Sequence, residues 1–114
     1  MQLDKLLARI QASNPPTFPP NTPLYHTTNA SYSAYLITAN VLRYKTATLP
    51  AHSFIATFTF YDPAQQGEAV ASRYAVGAVE LVNPKVLHDV RSALIREAIR
   101  LQKAVGVSDA DQVR

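Results

Sequence analysis

Between residues 84 and 105, Lys85, Arg96, Arg100 and Lys103 recur so that, at about 100° per residue, all four fall within about 60° of one another on a helix. Leu87, Leu94 and Leu101 take the opposite side. A row of cations on a helix is a pattern that contacts phosphates, each neutralised phosphate adding salt-dependent affinity. The plainer reading is a solvated outer face, with Lys and Arg favourable near the helix C-terminus. Asp89 lies within the row and Glu97 near its edge, so it is diluted but still positive. A second set sits in the stretch LRYKTATLPAHSFIATFTFYD, from Leu42 to Asp62. There Arg43, Lys45, Ile55 and Tyr61, joined by Tyr35 and Arg73 from flanking segments, combine cations with stacking rings on the side of a sheet opposite Phe54, Phe58 and Phe60. Such a mixture suits single-stranded nucleic acid; the plainer reading is a half-buried sheet lined with tyrosines.

Other chemistries lack their residues. The histidines, His26, His52 and His88, fall on an arm, a turn and a helix start, with no metal-ligand spacing among them. With no cysteine, disulfides, thiolate nucleophiles and thiolate metal sites are excluded. Three glycines leave little scope for backbone wrapped round a phosphate, and neither a G-x-S-x-G elbow nor a Walker lysine occurs. The acids are scattered, and a pair such as Glu68 and Glu80 would meet only through an unknown register. The expectation is a protein that is not an enzyme and holds no cofactor and no metal.

At 114 residues, 47% of them hydrophobic and 17% charged, the chain has the size and balance of one folded domain, with no apolar run long enough to cross a bilayer. The start, MQLDKLLARI, carries Asp4 and helical spacing in place of a secretory signal, so a soluble, cytoplasmic protein is expected. The net charge is +3, and residues 85–105 carry five Lys/Arg against two acids, an excess equal to the whole.

The elements that must position these residues follow from periodicity. Leu3, Leu6, Leu7 and Ile10 predict an amphipathic helix over 2–12. Residues 13–31 form a proline-rich arm, five prolines in nine residues favouring extended chain. Phe18, Leu24 and Tyr25 either pin the arm to the body or carry it to a neighbour, and the Asn29-Ala30-Ser31 triplet reads as loop. From 32 to 82 three β-like runs predict an antiparallel meander: Tyr32–Thr48, with a bulge where its alternation fails; Ser53–Tyr61, with Phe54, Ala56, Phe58 and Phe60 facing the core; and Glu68–Val82. Asn83-Pro84 supplies an N-cap and first-turn proline, and Gly106 a C-cap, for an amphipathic helix over 84–105, leaving 106–114 as a frayed tail. Ile95 and Ile99 flank its core stripe where polar residues are usual, marking a wider core or an oligomer interface that Phe18 of the arm would share.

The fold class is therefore α+β: one two-layer domain with the long C-terminal helix packed on a three-stranded sheet. The order helix, three strands, helix is similar to that of double-stranded-RNA-binding domains, although RYAVGAVELVNPKVLHDVRSALIREAIRL lacks their lysine-rich entry to the last helix. TFTFYDPAQQGEAVASRYAVGAVEL followed by VRSALIREAIRLQKAVG resembles the strand, hairpin and basic-helix layout of single-strand annealing proteins. The expected function is non-enzymatic binding of nucleic acid, single-stranded and by an oligomer of the chain. Lys85, Arg96, Arg100, Lys103, Arg43, Lys45 and Arg73 would contact phosphates, and Tyr35 and Tyr61 would stack on bases. The alternative is a structural or adaptor subunit of an assembly, built on Ile95, Ile99 and the arm.

Overall fold

The computed structural model describes residues 2–11 and 18–113, with side chains as far as Ala104. Among them run α1 (Leu3–Ile10), β1 (Leu24–Thr27), α2 (Ala30–Thr38), β2 (Arg43–Thr48), β3 (Thr57–Tyr61), α3 (Gly67–Ala75) and α4 (Pro84–Val113). The class is α+β, a three-stranded antiparallel sheet in the order β1-β3-β2 carrying the long helix α4. Its core joins Phe58 and Phe60 of β3 to Leu36 and Ile37 of α2 and to Val90 and Leu94 of α4.

Several predicted elements have their expected form. Leu6 of α1 is buried, with Leu3, Leu7 and Ile10 packed beside it. Asn83 caps α4, its Oδ1 accepting the N–H groups of Lys85 at 2.9 Å and Val86 at 3.3 Å. The expected bulge is at Lys45, where the β2–β3 register slips between Tyr44 and Thr46.

Three stretches differ. Tyr32–Thr48 is a helix followed by a strand. Asn29, in the triplet read as loop, caps α2 by accepting the Tyr32 N–H at 3.0 Å, and Asn40 ends it at φ 54, with Val41 N–H reaching the Leu36 carbonyl at 2.9 Å. Residues 32–37 are all buried, so α2 has no polar face from which a helical period can be read. The run Glu68–Val82 is α3 and an irregular segment. Asp62 is buried and its two carboxylate oxygens accept the Gln66 and Gly67 N–H groups, each at 2.8 Å, which starts the helix; Gly77 at φ 76 ends it. The third strand comes instead from the arm: Leu24–Thr27 pairs along β3 as an edge strand just after Pro23, a position a proline tolerates. Phe54 lies before β3 begins and is 74% exposed, so it is not part of the core face.

α4 also passes through Gly106 to Val113. Glycine in a helix costs about 1 kcal/mol relative to alanine, and no proline follows to stop the helix. Residues 12–17 of the predicted arm lie outside the described residues. No helix among the described residues is long and apolar enough to cross a membrane.

Gly67 allows a close approach of backbone to a ring, since a Cβ there would lie 2.3 Å from the Tyr25 ring, whose neighbour Tyr32 donates its hydroxyl to the Gly67 carbonyl at 2.8 Å. Gly67→Ala is expected to lose about 1–3 kcal/mol through overpacking. Urea unfolding followed by circular dichroism checks this; an unchanged midpoint would mean that β1 yields without cost.

Candidate nucleic-acid interface

The helices cover one face of the sheet. Because Phe58 and Phe60 enter the core, Thr57, Thr59 and Tyr61 take the other face, and cross-strand pairing brings their neighbours with them. Arg43 and Leu24 stand opposite Tyr61; Thr46 and His26 stand opposite Thr59. His26 Nδ1 and Thr59 Oγ1 are 3.0 Å apart. The bulge frees Lys45 from the alternation and places its Nζ 5.8 Å from the centre of the Tyr61 ring, within cation–π range. Phe18 stacks on that ring, centroids 4.4 Å apart and planes 11° from parallel. None of the strand residues in β1, β2 or β3 is Asp or Glu. The face thus presents two cations, stacked rings and the hydroxyls of Thr46, Thr48 and Thr57, with Thr59 itself buried and no acid among the strand residues.

Its supports are local. Gln11, buried at the end of α1, lies along the outer edge of β2: its side chain donates to the Leu42 carbonyl at 2.8 Å and accepts the Tyr44 N–H at 3.0 Å, as a strand neighbour would. Arg43 donates to the Gln11 backbone carbonyl, holding its guanidinium at the α1 end of the face. On the core side Tyr44 meets Phe60 edge-on at 5.6 Å, and burial pushes its phenol well above the ordinary tyrosine range. Burial does the same for Tyr32, with Tyr25 adding to it.

Of the residues expected to grip nucleic acid, the structure brings Arg43, Lys45 and Tyr61 together. Tyr35 is a core residue of α2, 6% exposed, with its ring 5.4 Å from Tyr74. Arg73 is on α3, away from the sheet, because its segment is helical. Tyr35 and Arg73 instead share a cleft of about 700 Å³, with Asn40, Gln66 and Glu80 among its other walls. The α4 cations form a separate set on the helical layer. Lys85 pairs with Asp89 at 3.1 Å, which holds that carboxyl below its usual range, and Arg100 pairs with Glu97 to the same effect. Arg96 and Arg100 line a crevice against the start of α1, with Asp4 on its far wall, and Lys103 is exposed. A basic helix packed on the core face cannot also border the outer face.

Phe18, read as either pinning the arm to the body or sharing an oligomer interface, lays its ring on Tyr61 of its own chain. Ile95 is half-buried and Ile99 is 42% exposed. The contribution of His26 was not foreseen, since β1 was read as arm; the signal available was the Leu24-Tyr25 pair beside Pro23. No group of three or more His, Asp or Glu side chains placed to hold a metal occurs among the described residues. No protein-family model matches the chain, and neither the curated proteins nor the solved structures contain a significant match to it.

Phe18→Ala is expected to cost about 0.5–1.5 kcal/mol from the lost stack and to expose Tyr61. Chemical denaturation and iodide quenching of tyrosine fluorescence check the two effects; no change in either would mean that the stack does not hold the arm.

Proposed function

We propose that the protein is a small, non-enzymatic nucleic-acid-binding protein that takes a single strand across the uncovered face of its sheet. The observation that carries this reading is the meeting of Arg43, Lys45 and the Phe18–Tyr61 stack on a face whose strands contain no acid. Lys45, exposed, neutralises a phosphate; Arg43, tied to Gln11, adds a second positive charge held in place beside it. Bases stack on the aromatic pair, a contact that every base can make, so preference among sequences is weak. Threonine hydroxyls of Thr46, Thr48 and Thr57 suit sugar and phosphate oxygens. Lys103 and the other α4 cations lie on the second layer and act through the long-range field that draws a polyanion in.

A sheet face with rings and cations accepts a single strand better than a duplex, whose bases are stacked on one another and out of reach of the rings. Fluorescence anisotropy with labelled single- and double-stranded oligonucleotides tests this. Single strands should bind more tightly, with affinity falling steeply as salt rises. Lys45→Glu should weaken binding by about tenfold or more at low salt, since it removes one phosphate contact and opposes its neighbours. Absence of binding at low salt, or equal binding by Lys45→Glu, would defeat the proposal.

The adaptor reading is favoured by one separate feature, an apolar surface between α4 and the loop preceding β3.

A further inference from the structure

The loop from Leu49 to Ala56 turns at Pro50, whose carbonyl accepts the Ser53 N–H at 3.1 Å, with His52 at φ 62. It leaves Phe54 74% and Ile55 61% exposed. Gln102 of α4 donates its side-chain N–H to the Phe54 carbonyl, so the loop is fastened to the helix. Between them runs a groove of about 190 Å³ walled by Phe54, Ile55, Ile95 and Ala98 and floored by Phe58. Ile99, one turn beyond Ile95, extends the apolar strip. Large exposed apolar side chains gathered at one place, rather than scattered singly, mark an interaction surface.

The charges beside the groove identify what it accepts. Arg91, Ile95, Ile99 and Lys103 follow one another at four-residue steps, so a cation stands at each end of the isoleucine pair on one side of α4. Both cations are exposed, and Arg91 spends one donor on Ser31 Oγ at 2.8 Å. No carboxylate lines the groove. The acids nearest in sequence are occupied elsewhere, Asp89 with Lys85 and Glu97 with Arg100. A second copy of the chain fits poorly: an antiparallel pairing centred on Ile95 and Ile99 would set Arg91 of one copy against Lys103 of the other, and like charges facing across an interface oppose association.

We propose that this groove is a docking site for an acidic amphipathic helix of a protein partner, a site separate from the sheet face. One or two large apolar side chains of the partner enter between Phe54 and Ile95, its next turn covers Ile99, and its Asp or Glu residues meet Arg91 and Lys103. This is helix-in-groove recognition, in which apolar anchors at three- and four-residue spacing carry affinity and flanking charges set orientation and specificity.

The test is selection of helical peptides from a randomised display library against the full chain, followed by anisotropy measurements on a synthetic copy of a selected sequence. The selected peptides should combine apolar residues at helical spacing with flanking Asp and Glu. Ile99→Asp and the loop variant Phe54→Ser should each weaken binding by about tenfold or more. Arg91→Glu with Lys103→Glu should do likewise, while Lys45→Glu should leave peptide binding unchanged. Selected sequences without acidic bias, or binding indifferent to both Ile99→Asp and Phe54→Ser, would overturn the proposal. So would light scattering that finds a dimer of the free chain dissociated by Ile99→Asp, since the occupant would then be a second copy.

Discussion

The alternation of β3 is the constraint on which the other elements depend. It is the central strand, and Phe58 and Phe60 are sealed by helices on one face only. A strand turns successive side chains to opposite faces, so the burial of those two rings obliges Thr57, Thr59 and Tyr61 to face the other way. Pairing on both sides of β3 then aligns Leu24 and Arg43 with Tyr61. The candidate interface is therefore a by-product of core packing, with one local adjustment at the Lys45 bulge.

Asp62, the residue after β3, is the second point of control. Its carboxylate accepts two backbone N–H groups at the start of α3, and its own N–H reaches the Pro23 carbonyl at 2.9 Å, just ahead of β1. One residue thus settles where the sheet ends and where the next helix begins. Gly67 lies against Tyr25 at the same junction, so the edge strand, the central strand and α3 meet within a few residues. Buried carboxylates are costly unless their oxygens are satisfied, and here both receive hydrogen bonds.

The two proposed surfaces divide the chemistry of the chain. The sheet face joins cations to rings that are already stacked, and its proposed partner is a flexible polyanion. The groove beside α4 joins cations to exposed aliphatic and aromatic groups, and its partner must supply both apolar surface and negative charge. They lie on different layers, so a nucleic acid and a protein helix need not compete.

The amphipathic stripes of α1 and α4, the Asn83-Pro84 start and the core role of Phe58 and Phe60 were all readable from the chain, because local spacing and capping chemistry determine them. Strand parity put Arg43 and Tyr61 on one side, whereas Lys45 meets the Tyr61 ring through the bulge that breaks the alternation. The helices α2 and α3 were not readable: α2 is buried on nearly every side and so shows no period, while α3 is started by Asp62, whose role exists only once its carboxylate is enclosed. The recruitment of Leu24–Thr27 as a strand and the exposure of Phe54 depend on which segment reaches the free edge of β3 and where β3 begins, and pairing between distant segments decides both. Sequence alone determined the class of the fold and the residue types of the surfaces; tertiary structure decided which of those residues share a face, because burial and strand register are properties of the assembled chain.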